Sequence, residues 1–266
     1  MQKRQLQRDQ YFKEQSRTTS KYVIPFIDEV KKISKNSRIL EIGCGEGGNI
    51  KPFLDMGCEC VGIDLSTLKI DLANEFFLDH PNRANLKLML KDIYDVPEEE
   101  IGTFDLIIMR DVIEHIHNQD RFMGHMKQYL KKDGIVFFGF TPWQMPFGGH
   151  QQSLKNKYLS KVPYTHLLPR SLYTSLLRLG KESEAMIEGR LEIVDTGISI
   201  ERFRKVAKDN GYKTDQERLY FLNPNYEAKF GLKPMKQTKL LTAIPYLRNY
   251  FVTCMYTIIS QDYNTH

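Results

Sequence analysis

Apolar positions along this chain change their period several times, and each change predicts an element. In residues 1–36, Tyr11, Phe12, Tyr22, Val23, Phe26, Ile27 and Val30 recur at roughly helical spacing with Pro25 interrupting, which predicts one or two amphipathic helices. From Ser37 short apolar runs alternate with helical patterns. Residues 38–42, 60–64, 86–90, 104–109 and 135–140 read as strands, and the continuous apolar run within 104–109, Leu106 to Met109, predicts burial on both faces of a parallel sheet. Between them lie a helix ending at Met56 and closed by Gly57, a helix capped by Ser66 with Leu68, Leu72, Ala73 and Phe76 on one face, and a helix carrying Phe122, Met123, Met126, Tyr129 and Leu130. Asp133-Gly134 reads as the turn into the fifth strand. The rhythm breaks over residues 143–198, which look like an insertion. It resumes with a helix from Ser199 to Gly211 and two strands near residues 219–221 and 251–259. Strands alternating with helices predict an α/β fold with a doubly wound, seven-stranded sheet.

Composition narrows the class without naming it. Apolar residues at 41% and charged residues at 27% exclude collagen-like and disordered chains. The four cysteines, Cys44, Cys58, Cys60 and Cys254, are too few and too unevenly spaced for a disulfide framework and read as buried thiols in a reducing compartment. The N-terminal stretch is basic but lacks an apolar core segment, so it is no signal peptide. The apolar stretch 240–260 is broken by Pro245 and Arg248-Asn249, reading as a short helix and a core strand. A cytoplasmic protein is expected. The net charge of +5 is unevenly spread: residues 1–36 carry +5, residues 37–150 carry −7, and residues 151–190 and 191–266 carry +4 and +3. No Lys/Arg cluster interleaved with aromatics marks a dedicated nucleic-acid groove.

The chemistry gathers at the turn after the first strand, Glu41-Ile42-Gly43-Cys44-Gly45-Glu46-Gly47-Gly48. Gly43, Gly45 and Gly48 give the spacing of a dinucleotide fingerprint, with Asp64 ending the second strand. Glycines let a backbone approach a ligand closely, and a carboxylate there accepts hydrogen bonds from both ribose hydroxyls. Glu41, two residues before the first glycine, would repel a pyrophosphate by several kcal/mol, on the order of like-charge penalties at interfaces. A nucleoside with an amino-acid tail, a sulfonium and no phosphates suits it better, which describes S-adenosyl-L-methionine.

At this point the chain resembles the class I S-adenosylmethionine-dependent methyltransferases, over most of residues 36–141. The first motif is Glu41 with Gly43, Gly45 and Gly47; the second is Val61-Gly62-Ile63-Asp64-Leu65-Ser66; the third is Lys91-Asp92-Ile93. The fourth is residues 104–109, followed by Arg110-Asp111-Val112-Ile113-Glu114-His115-Ile116, which looks like the V-L-E-H-V segment of the small-molecule branch that includes ubiquinone-pathway O-methyltransferases. Leu130-Lys131-Lys132-Asp133-Gly134 stands for the L-K-P-G-G turn, with Asp in place of a Gly. The resemblance implies a Rossmann-like sheet with its last strand antiparallel. It gives Asp64 the ribose and Asp92 the adenine amine, and places Cys44, Leu65, Ile93, Arg110 and Asp111 along the same cofactor rim. It further implies one domain over 1–266: an N-terminal helical lid at 1–36, a cofactor core at 37–142, a substrate cap at 143–198 and the rest of the sheet at 199–266.

Lid helices of such proteins close over the cofactor, and Tyr11, Arg17 and Thr18 are placed to do so, Arg17 toward the methionine carboxylate. His115 is the candidate general base for a protonated acceptor such as a hydroxyl, whereas Glu114 reads as structural. Trp143, Phe147, His150, Tyr164 and His166 are expected to wall the substrate pocket at the ligand-bearing edge of the sheet. His115 and His117 lie beside Glu114, but no second cluster has metal-ligand spacing, so no metal site is expected. The basic lid and cap favour an anionic or lipid-linked small-molecule acceptor. A nicotinamide-dependent oxidoreductase and a non-catalytic cofactor-binding module are the competing readings.

Overall fold

The computed structural model describes residues 2–263. Eight strands form one sheet: β1 Arg38–Ile42, β2 Glu59–Asp64, β3 Leu86–Leu90, β4 Phe104–Arg110, β5 Leu130–Phe140, β6 Tyr212–Leu222, β7 Met235–Lys236 and β8 Cys254–Gln261. Their spatial order is β3-β2-β1-β4-β5-β8-β6-β7. Strands β1 to β5 run parallel, and β8 inserts antiparallel between β5 and β6. The order reverses between β1 and β4, and at that switch point the loops leaving the strand ends splay apart to make a crevice.

The helices are α1 Gln2–Thr18, α2 Ile24–Asp28, α3 Lys51–Asp55, α4 Thr67–Phe76, α5 Glu98–Ile101, α6 Gln119–Met126, α7 Arg170–Leu179, α8 Glu184–Thr196, α9 Ile200–Asp209, α10 Asn225–Phe230 and α11 Lys239–Thr242. A π-helical turn over Thr19–Val23 joins α1 to α2. The continuous apolar run of β4, Leu106–Met109, does pack on both faces. Ile107 and Met109 meet Phe122, Phe138 and Phe203 on one side, while Leu106 and Ile108 meet Phe26, Phe137 and Tyr256 on the other. All four cysteines are buried and free.

The structure corrects several expected boundaries. An eighth, two-residue strand, β7, extends the sheet beyond β6. Strand β6 begins at Tyr212, well before residue 219, because its polar run Lys213-Thr214-Asp215-Gln216-Glu217-Arg218 shows no hydrophobic alternation. Asp133-Gly134 lies within β5, beside an irregular register between Phe104 and Leu106, rather than in a turn before it. The Ser66 side chain makes no capping bond; its N–H donates to Asp64 Oδ1 at 2.9 Å. Leu68 stands exposed, and Ile70, Leu72 and Ala73 form the buried face of α4.

Residues 143–198 build a small layer of their own, in which α7 and α8 bury Tyr173, Leu177 and Ile187 against Leu154. Among the described residues no helix is long and apolar enough to cross a membrane.

Candidate active site

The glycine turn folds because its residues tolerate a left-handed backbone. Gly43, Gly45 and Gly47 have φ of +72°, +55° and +82°. A Cβ on Gly43 would lie 2.5 Å from Val112 Cγ2, whereas one on Gly45 would meet nothing nearer than Lys69 Cδ at 3.9 Å. Gly43 is thus held by close packing, and Gly45 faces open space above the strand end. Asp64 fixes the turn from β2: its Oδ2 accepts the Gly45 N–H and its Oδ1 the Ser66 N–H, both at 2.9 Å. Each oxygen keeps a further lone pair.

Above this turn lies a cavity of about 1490 Å³. Of the residues singled out in the sequence, Tyr11, Gly43, Gly45, Asp64, Leu65, Asp92, Ile93, Arg110, Asp111 and His115 line it. Asp92 does two things at once: it caps a short turn by accepting the Tyr94 N–H at 3.0 Å, and it stands exposed at the cavity lip. Ile93 is buried, and its carbonyl accepts the Tyr129 hydroxyl at 3.0 Å. Asp111 holds a left-handed φ of 55° directly after β4, a strain that the bond from its N–H to Gly139 O helps to impose.

Glu41 and Cys44 lie beneath the cavity floor. Cys44 packs under the turn, against Gly62. The fully buried Glu41 accepts from Asn49 Nδ2 at 2.7 Å through one oxygen, while the other has no partner. Arg110 donates to Asn49 Oδ1 at 2.7 Å and to Thr19 Oγ1 at 3.3 Å, and also bonds Asn225. One guanidinium therefore ties the lid, the sheet and α10 together. Burial pushes the Glu41 carboxyl up to about 8, with Asp64 adding to the rise and Asn49 and Arg110 opposing it.

That shift sets a pH dependence. A raised folded-state pKa contributes stability that is complete below the unfolded value near 4.5 and lost as pH climbs through 8. Glu41→Gln is therefore expected to match the wild type near pH 4.5 and to exceed it increasingly up to pH 8, by on the order of 5 kcal/mol. Urea unfolding across that range checks this; a constant offset would mean that the carboxyl does not titrate there.

His115 stands on the short helical turn Ile113–His115 after β4, and burial lowers its pKa. Its ring meets that of His150 edge-on, with centroids 5.4 Å apart. His150 is pushed down to about 4, by burial first and by His115 next. Glu114 beneath them is buried with Oε2 unpartnered, and burial, reinforced by Asp111, raises its carboxyl far above the usual range. One donor atom from each of Glu114, His115 and His150 lies within 4.8 Å of the others. That reach is wider than the ~3.3 Å between donors around a tetrahedral zinc ion. Sequence spacing hid this trio because His150 comes from the cap.

The remaining assignments fall outside the cavity. Arg17 is exposed at the end of α1; Arg8, one face earlier, lines the cavity instead and pairs with Glu46. Thr18 is buried and donates to Glu14 O. Trp143, Phe147, Tyr164 and His166 do not form the cavity wall. His166 stacks edge-on against Trp143 at 4.5 Å and bonds its carbonyl at 2.8 Å, and Tyr164 reaches Tyr250 O. His150 and Tyr164 hold left-handed backbone, His166 is buried against Trp143, and Trp143, Phe147 and Tyr164 are half-buried. The rest of the wall is made by residues the sequence did not assign to the site, chiefly Leu68, Lys69, Tyr94, Val112, Asn118 and Arg121. Arg121 lies 4.4 Å above the Tyr94 ring.

The donor set fits S-adenosyl-L-methionine: the carboxylates of Asp64 and Asp92 line the cavity with acceptor capacity to spare, left-handed glycines make its floor, and the buried Glu41 below has an unpartnered oxygen. A sheet of this order with this acid-ended second strand defines a class I methyltransferase fold. A family model described as "Methyltransferase domain" matches residues 13–182. The chain belongs to that family, and S-adenosyl-L-methionine is its cofactor.

Among similar curated proteins, the ubiquinone biosynthesis O-methyltransferase of Pelagibacter ubique (strain HTCC1062) is 33% identical over 103 residues, covering 39% of this chain and 41% of that one. Its counterpart in Rhizobium johnstonii is 27% identical over 188 residues, covering 70% and 71%. The match thus spans about two fifths of the first relative's own length. Solved structures show the same fold at low identity. Geranyl diphosphate C-methyltransferase from Streptomyces coelicolor A3(2) has a TM-score of 0.55 at 13% identity, over 89% of this chain and 78% of that one. Magnesium protoporphyrin IX methyltransferase from Synechocystis PCC 6803 has 0.53 at 14%, over 94% and 84%.

Proposed function

We propose that this protein transfers a methyl group from S-adenosyl-L-methionine to a hydroxyl oxygen of a small, anionic acceptor, with His115 taking the proton. The observation that carries the reading is a single continuous cavity reaching from Asp64 and Asp92 to His115 and on to Asn118 and Arg121. At about 1490 Å³ it exceeds the roughly 300–1,000 Å³ of a typical one-ligand pocket. It has room for cofactor and acceptor together.

In this reading Asp64 accepts from the ribose, Asp92 from the adenine amine, and the buried Glu41 supplies negative charge beneath the amino-acid end. The cofactor, when bound, supplies a methyl carbon already activated by a sulfonium. The chain's own contribution is then to hold the acceptor in line, an effect worth about 7–11 kcal/mol at best, and to remove one proton. Burial keeps His115 neutral and so able to accept it. Lys69, Arg8 and Arg121 line the same cavity and favour an acceptor bearing a carboxylate or phosphate. The ubiquinone-pathway relatives support oxygen as the methylated atom.

Thermal-shift titration with S-adenosylhomocysteine should raise the unfolding midpoint, with a stabilisation of about 2.7 kcal/mol at a hundred times the dissociation constant. A nicotinamide dinucleotide should leave it unchanged. The reverse pattern would replace this reading with an oxidoreductase. Labelled-methyl transfer to matched anionic and neutral hydroxyl compounds separates an enzyme from a cofactor-binding module, and a preference for neutral acceptors counts against the anionic assignment.

A further inference from the structure

Residues 237–253 form a loop with inverted polarity. Gln237 Nε2 donates to Phe251 O at 2.6 Å and closes its ends. Apart from Val252, the side chains the loop buries are polar. Arg248 bonds Glu201 at 2.9 Å and Thr242 O at 2.8 Å, and Asn249 accepts the Ile200 N–H at 2.8 Å and donates to Glu201 at 2.5 Å. The side chains it exposes are apolar: Leu240 (76%), Tyr246 (70%), Ile244, Leu247, Tyr250 and Phe251. A folded chain ordinarily does the opposite, and contiguous exposed apolar surface marks an interaction site.

Charge indicates what the surface meets. Residues 228–261 contain five Lys/Arg and no Asp or Glu. Arg248 is anchored to Glu201 and Lys229 lies over the Tyr11 ring. Lys233, Lys236 and Lys239 are exposed, flank the apolar loop and, among the described residues, have no carboxylate within ion-pair distance. Aliphatic and tyrosyl side chains beside unpaired lysines are the composition of an interfacial membrane segment: the apolar groups enter the headgroup boundary and the ammonium groups stay at anionic phosphates.

The register places this loop. Phe140 at the end of β5 pairs with Met255 near the start of β8, so residues 237–253 stand at the carboxyl edge of the sheet, the edge on which the cavity opens.

We propose that this loop docks the protein on an anionic lipid bilayer, turning the cavity's edge of the sheet toward the membrane surface. The docking does not depend on the methyl-transfer reading, because it is read out by binding alone. The full chain should sediment with phosphatidylcholine vesicles containing phosphatidylglycerol, dissociate as salt is raised, and ignore vesicles of phosphatidylcholine alone.

Combined Lys233→Gln, Lys236→Gln and Lys239→Gln should weaken the association about a hundredfold. Leu240→Ser with Tyr246→Ser should weaken it comparably. All five side chains are exposed, so unchanged thermal melting verifies that the variants fold. Three results would overturn the proposal: no association at low salt, equal binding to neutral vesicles, or variants that bind like the wild type. Concentration-dependent dimers abolished by Leu240→Ser and Tyr246→Ser would reassign the surface to a second copy of the chain.

Discussion

Asp64→Ala is expected to raise the dissociation constant for S-adenosylhomocysteine by at least a hundredfold. The carboxylate would accept two ribose hydroxyls, and hydrogen bonds to a charged group contribute about 1.5–3 kcal/mol each. It also accepts the Gly45 and Ser66 N–H groups, so the alanine leaves two backbone donors without a partner and loosens the glycine turn. Asp64→Asn separates the two effects. Its single amide oxygen keeps one backbone bond and loses the charge, and its affinity should fall between the two, weakened by tens-fold. Calorimetry measures both, with the unliganded melting temperature reporting any damage to the turn. Wild-type affinity in Asp64→Asn, at unchanged melting temperature, would remove Asp64 from the cofactor site.

The alternating core was legible because its strands are short, mostly apolar runs set between helical patterns, most plainly at Leu106–Met109 and Ile135–Phe138. The Glu41-to-Gly47 motif and Asp64 were legible too: their residue types are dictated locally, by backbone conformation and by the strand end. What failed to show depended on tertiary context. Strand β6 is polar over its first half because β8 supplies its pairing, so no alternation announced it. Leu68 fitted the helical stripe of α4, yet it is turned to the cavity, where a ligand rather than the core would cover it.

The cap misled in a different way. Its aromatic richness suggested a pocket wall, but the irregular stretch ahead of α7 must bury something to hold its shape, and the contact of Trp143 with the buried His166 serves that need. Among those aromatic residues it is His150 that meets His115, from a left-handed backbone that no spacing rule reveals. Arg17 and Arg8 make the same point on α1, where the register of one helix on the sheet decides which cation meets the cavity.

Replacing His115 by alanine is expected to lower the turnover number by about 10²- to 10⁴-fold, the usual contribution of a positioned general base. The dissociation constant for S-adenosylhomocysteine should stay within about threefold, since the ring lies past the nucleoside end of the cavity. The pH profile gives a second, independent signature. Burial lowers the His115 pKa beneath the ordinary 6.5, so the wild-type rate should rise with pH along a limb below that value and be flat above it, and the limb should vanish in the variant.

Neither neighbour can take over the proton. Glu114 is held protonated by burial, and His150, pushed down to about 4, is the weaker base. His150→Ala should accordingly cost less than about tenfold and leave the limb in place. Turnover that survives His115→Ala, with the acidic limb intact, would mean that the acceptor arrives without a proton to lose. The chemistry would then move from a hydroxyl to a carbon or amine nucleophile, while the cofactor end of the cavity stood unchanged.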